Sequence, residues 1–183
     1  MSEKHPDHSG ETITIYKVEP VMNTGVVVTS EAQHPDGRLD DRCSAYHDNI
    51  SPPLTWTQVP DAKAWAIVVE DPDAPQEQPF VHWMIWNIPG ETTSLPEGLP
   101  NSPKLVTPLD AVQGRNGMHG HGWFGPRPPA GHGLHHYYFQ VFALNERLEM
   151  GPETPLVELL NALKGRTIAS GEMAATYEAP TQQ

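Results

Sequence analysis

The chain has 183 residues, a single cysteine (Cys43) and a formal charge of −12. That length suits one domain, the lone cysteine excludes an internal disulfide, and the negative charge argues against nucleic acid or an anionic membrane surface as a main partner. No run approaches the roughly 18 apolar residues of a spanning helix, and the polar stretch Met1–Gly10 lacks the apolar segment of a signal peptide. Together these features predict a cytoplasmic protein without integral membrane contact.

Residues 1–11 read as a tail, 12–178 as one domain and 179–183 as a second short tail. The 20 prolines and 15 glycines are dispersed between apolar runs, which predicts many turns and long ordered loops. Thr12 to Val18 alternates Ile13 and Ile15 against threonines, a strand pattern. Val26-Val27-Val28 follows. Pro52 to Trp56 is extended and proline-led, which predicts a sheet edge. Ala64 to Val69 is a continuous apolar run of strand length and predicts a buried strand. It stops at Asp71-Pro72-Asp73-Ala74-Pro75, where two prolines forbid continuation. Val81 to Ile88 is the next strand, and Asn87 to Gly90 turns the chain.

Leu95 to Gly133 reads as loop, longer than a domain normally carries without function. His135 to Leu144 is the strongest strand, with Tyr137, Tyr138, Phe139 and Phe142. Thr154 as N-cap, Pro155 at the first helical position and Gly165 at C′ bracket a helix, with Leu156, Leu159, Leu160 and Leu163 on its apolar face. Thr167 to Tyr177 reads as a closing strand. Many strands with one or two helices predict a mainly β, antiparallel sandwich or barrel-like sheet.

Strand alternation puts His135 on one face with Tyr137, Phe139 and Val141, and His82 on one face with Met84, Trp86 and Ile88. Each strand therefore opens with a histidine at the mouth of an apolar face. Asp71 and Asp73 lie just past the preceding strand, where a turn can aim both carboxylates at one point. His119 with His121, or His132 with His135 and His136, is the rival metal reading. Ligand spacing typical of zinc is absent, so no metal and no cofactor are expected. Ser44, Ser51 and Cys43 sit in no nucleophile motif, so no enzymatic activity is expected.

Asp71-Pro72-Asp73-Ala74-Pro75, His82-Trp83, Asn87-Ile88-Pro89, Gly125-Pro126-Arg127-Pro128-Pro129 and Leu134-His135-His136-Tyr137 occur in that order. This set resembles the phosphatidylethanolamine-binding protein family, which includes the Raf kinase inhibitor protein. Asn49 to Trp56 and Ala162 to Gly165 look like its bacterial YbhB/YbcL branch. The resemblance implies an antiparallel β-sandwich with Greek-key connections and peripheral helices. It also implies a small pocket for phosphate, phosphoethanolamine or another phospholipid head group. The family's pocket residues fall on Asp71, Asp73, His82, Pro129, His135 and Tyr137. His136 stands where the family usually has arginine.

The expected function is non-enzymatic binding of a small anion, with modulation of a kinase or other phosphoryl-dependent partner as its extension. The chain is expected to act as monomer or homodimer. His82 and His135 are expected to donate to the anion while Asp71 and Asp73 orient the imidazoles. Two alternatives stand: a hydrolase using the Asp/His set as acid–base groups, and an interaction scaffold with a vestigial pocket.

Overall fold

Ala64 to Val69 is apolar at every position because both of its faces are covered. A computed structural model describes residues 13–18 and 25–181. In it the run is part of β3 (Ala64–Asp71), buried throughout and flanked by β4 (Phe80–Pro89) and β7 (His135–Leu144). With β6 (Val112–Gln113) and β8 (Thr167–Tyr177) at the edges, the order is β6-β4-β3-β7-β8, antiparallel throughout. A smaller antiparallel sheet has the order β1 (Val28–Thr29), β2 (Leu54–Trp56), β5 (Ser94–Leu95).

Trp65, Ile67 and Val69 point to the space between the sheets, where they meet Leu54, Trp56, Leu95, Phe139 and Trp123. Ala66 and Val68 point the other way, against Trp86, Phe142, Leu159 and Leu163. The result is a mainly β, antiparallel sandwich with Greek-key connections and a peripheral helix, α1 (Leu156–Leu163).

Four local expectations are corrected. The Thr12–Val18 pattern is not a strand: Thr14–Tyr16 is a turn of 3₁₀ helix, and Thr12 lies outside the described residues. Its amides find side chains instead of a neighbouring strand. Thr14 N–H donates to Glu70 (2.8 Å) and Ile15 N–H to Gln140 (2.7 Å), which pins buried Ile13 and Ile15 over the outer core. Second, β2 is the middle of its sheet, not an edge. Pro52 and Pro53 precede the ladder, so they remove no hydrogen bond from it.

Third, Thr154 does not cap α1. Its hydroxyl donates to the Gly151 carbonyl (2.8 Å) and Pro155 takes the N-cap position, one residue later than expected. Gly165 has φ +80°, the left-handed conformation expected after a helix end. Fourth, Leu95–Gly133 is not all loop, since it contains β6, and buried Gln113 ties it together. That side chain accepts from the Trp83 indole (2.8 Å) and donates to the carbonyls of Pro100 (2.8 Å) and Ser102 (2.9 Å).

Candidate functional site

Near its start, β4 carries one residue more than β3 can match. Val69 pairs with Trp83 and Glu70 with Val81, so His82 is the extra residue of a β-bulge. A bulge interrupts the strict alternation of faces. Met84 and Trp86 join the helix side of the sheet, whereas His82 packs beside Tyr137 (ring centroids 5.0 Å) and Trp123 (6.5 Å) on the sandwich side. The expectation that His82 shares a face with Met84 and Trp86 is therefore corrected. Ile88 returns to the sandwich side because a second shift occurs after Ile85, where Asn87 has φ +61°.

The bulge brings His82 to a cavity of about 260 Å³. Asp71, His135 and Tyr137 reach it from β3 and β7, Phe80 from β4, and Phe124, Arg127 and Pro129 from the long loop. Of the six residues expected at a pocket, five line this one. Asp73 does not: its carboxylate accepts from the His136 backbone N–H (2.8 Å) and ring Nδ1 (2.7 Å). This pair ties the Pro72–Ala74 turn to β7 beside the cavity. His136 occupies the expected arginine position, and Asp73 is its partner.

Asp71 is 3% exposed and both of its oxygens are engaged. Oδ1 accepts from the Asp73 N–H (2.8 Å), closing the turn, and Oδ2 accepts from His135 Nδ1 (2.6 Å). His135, equally buried, uses its other nitrogen too: Nε2 lies 2.6 Å from Nδ1 of His132. His132 sits between Gly131 (φ +79°) and Gly133 (φ +84°), which permit the tight loop that folds its ring back. The three side chains form a carboxylate–imidazole–imidazole chain.

His82 has a different partner from the one expected. A carbonyl can only accept, so Nδ1 carries the proton it gives to Phe124 O (2.5 Å). Burial pushes His82 down to about 4, so its ring is neutral at pH 7. Neutral His82 with a protonated Nδ1 has a lone pair at Nε2. Tyr137 is fully buried and its hydroxyl has no partner among the described residues. Desolvation drives its pKa far up, so it stays a neutral phenol.

A sequence profile described as phosphatidylethanolamine-binding protein matches residues 29–178. A UPF0098 protein of Pyrococcus horikoshii is 43% identical over 131 residues, 71% of this chain and 65% of that protein. This chain thus spans less than two thirds of that relative's length. The UPF0098 protein YbcL of Escherichia coli is 38% identical over 71% of this chain and 72% of its own length. Its crystal structure superposes with a TM-score of 0.75 at 34% identity, covering 85% of this chain and 99% of YbcL. A putative homologue from Chlamydia trachomatis gives 0.74 at 32% identity, over 85% and 98% of the two chains.

This chain belongs to the phosphatidylethanolamine-binding protein family. Within that family frame, two cavity residues carry polar signals that sequence reasoning did not assign. Arg127, in the Gly-Pro-Arg-Pro-Pro segment, is the one Lys or Arg lining the cavity among the described residues, and its guanidinium stacks over Tyr46 (5.7 Å). The Tyr46 hydroxyl in turn donates to the Pro128 carbonyl (2.5 Å), fastening that wall. Gln76 supplies an amide to the same lining. Arginine flanked by prolines was a legible signal for Arg127. His132 had none beyond its glycine neighbours, because its contact with His135 is made by the tertiary fold.

Among the described residues, the remaining histidines form no cluster that could hold a metal ion. His121 Nδ1 bonds the Gln113 carbonyl (2.9 Å), and its Nε2 lies 3.4 Å from Glu153, itself paired twice with Arg115. Cys43 is buried and its thiol is pushed up to about 12, chiefly by desolvation, which makes it a poor nucleophile.

Proposed function

We propose that this protein binds a small phosphate-type anion, free or as the head group of a phospholipid, without turning it over. The observation that carries this reading is the buried Tyr137 hydroxyl left unpartnered in a cavity that also contains Arg127. An unpaired buried hydroxyl costs about 1–3 kcal/mol, a cost that an accepting ligand oxygen removes. Arg127 adds a charge-assisted donor, roughly twice as strong as a neutral one. Phe80, Phe124, Pro128 and Pro129 form apolar walls that lower the local dielectric.

Asp71 acts in this reading through His135, whose ring it orients, while Asp73 fastens the turn and touches no ligand. Histidine NMR during titration with inorganic phosphate and with phosphoethanolamine tests the site. His82 signals should move, and Tyr137→Phe should weaken binding about tenfold while leaving the apo protein equally or more stable. Unmoved His82 signals at millimolar ligand would overturn the reading. Modulation of a kinase or other phosphoryl-dependent partner is its extension. Pull-downs with wild type and Tyr137→Phe check that step, since unchanged partners would uncouple pocket from partner.

The Asp71–His135–His132 chain favours a second reading, acid–base catalysis with His132 as the outer base. Turnover of a phosphoester or ester panel that His135→Ala abolishes would support it, and an inactive wild type would remove it.

A further inference from the structure

The hydrogen-bonding inventory of the cavity is uneven. A pocket built for a fully deprotonated anion presents donors only. Here His82 has spent its proton on the Phe124 carbonyl, so the remaining nitrogen, Nε2, can only accept. No protein donor reaches that nitrogen among the described residues. His135 offers nothing in compensation, because Asp71 holds one nitrogen and His132 the other. The donors left to a ligand are the Tyr137 hydroxyl, the Arg127 guanidinium and the Gln76 amide, which also donates to the Gln78 carbonyl (2.9 Å). The Asp71 carboxylate in the same lining offsets the Arg127 cation, which opposes a second negative charge on the ligand.

We propose that the pocket takes a phosphomonoester together with its acidic proton, as the monoanion: the P–OH donates to Nε2 of His82, and the unprotonated oxygens accept from Tyr137 and Arg127. This inference rests on the anion-binding reading above, adds the protonation state that the site selects, and narrows the ligand to phosphate or a phosphomonoester, since a phosphodiester head group has no P–OH and meets His82 as a sulfate ester does. A dianion places a lone pair against a lone pair at His82. A sulfate ester has the shape and one charge but no proton to give, so it meets the same repulsion at every pH where His82 is neutral. The groups that face His82 are Asp71 from β3, His135 and Tyr137 from β7, and the Phe124 carbonyl with Arg127 from the long loop. Protonation of His132 or His135 would favour phosphate and sulfate esters alike. The sulfate ester is therefore the control for any titration of the protein. Burial holds the His82 ring neutral down to about pH 4 when no anion lies beside it, and a proton that His82 took up on binding would favour the two esters alike, which the sulfate arm detects.

The experiment is calorimetric titration of the full chain with phenyl phosphate and with phenyl sulfate at pH 5.5, 6, 7 and 8. A phosphomonoester has its second pKa near 6. The monoanion fraction therefore falls from about one half to about one hundredth between pH 6 and 8, and apparent affinity falls about fifty-fold with it. Phenyl sulfate should bind at least about tenfold more weakly than phenyl phosphate at pH 5.5, the worth of one hydrogen bond, and the fifty-fold fall should appear in the ratio of phosphate to sulfate affinity, whatever slope the two share. If the two esters bind equally, or share one pH profile, the proton resides on the protein and the inference is overturned while the anion-binding reading stands. If neither ester binds at millimolar concentration, the anion-binding reading itself fails.

Discussion

His82 is a base buried at a bulge and kept neutral, so acid should strain the fold through this one residue. Its pKa falls from 6.5 in the unfolded chain to about 4 in the folded one. Between those values the unfolded chain binds more protons than the native one, so stability is lost as pH falls through this window. Above pH 6.5 His82 contributes nothing to the slope. At about 1.4 kcal/mol per pH unit, the interval is worth about 3 kcal/mol in full, and about 2 kcal/mol by pH 5.

The substitution that isolates this effect is His82→Asn. Its amide can take the place of Nδ1–H and keep the bond to Phe124 O, but it does not titrate. Urea unfolding of wild type and variant at pH 7, 6 and 5 removes the background from all other groups. Whatever gap separates the two proteins at pH 7 should shift by about 2 kcal/mol in favour of the variant by pH 5. Parallel pH curves would refute the claim that His82 is held neutral by burial.

Asp71→Asn should lower stability by about 1–3 kcal/mol, because buried His135 loses its carboxylate acceptor. Asp73→Asn should cost under about 1 kcal/mol, since the His136 side chain is 40% exposed. The contrast between the two, read by denaturant melts, checks which carboxylate is built into the core. Leu159→Ala removes a fully buried side chain of α1 and should cost about 2–5 kcal/mol, with Leu160→Ala costing less because Leu160 is only partly buried. Gly125→Ala puts a methyl 1.9 Å from the Cys43 carbonyl, which already accepts from the Trp123 indole (3.0 Å). It should destabilise by about 1–3 kcal/mol and alter tryptophan fluorescence as that wall of the pocket moves.

Much of the fold was legible because its signals are local. A stretch buried on both faces must be apolar at every position, and Ala64–Val69 reads so. Four aromatics in His135–Leu144 and the bracketed leucines of α1 are equally self-contained. The misread elements are those whose partners lie far along the chain. Thr14–Tyr16 alternates like a strand, but its amides are taken by Glu70 and Gln140. Nothing in residues 12–18 encodes that, since the acceptors lie 56 and 125 residues away.

The feature that distinguishes the site shows the same division. Residue chemistry by itself determined that acids, histidines and a tyrosine stand at the ends of β3, β4 and β7, and order along the chain pointed to the family. Which way each group spends its protons was decided by the tertiary structure alone. The bulge turns His82 off its expected face and onto the Phe124 carbonyl, 42 residues later. The loop at Gly131–Gly133 lays His132 on His135, and Asp73 goes to His136. A histidine's sequence position states that it can donate or accept. Only the atom placed opposite each ring nitrogen settles which it does.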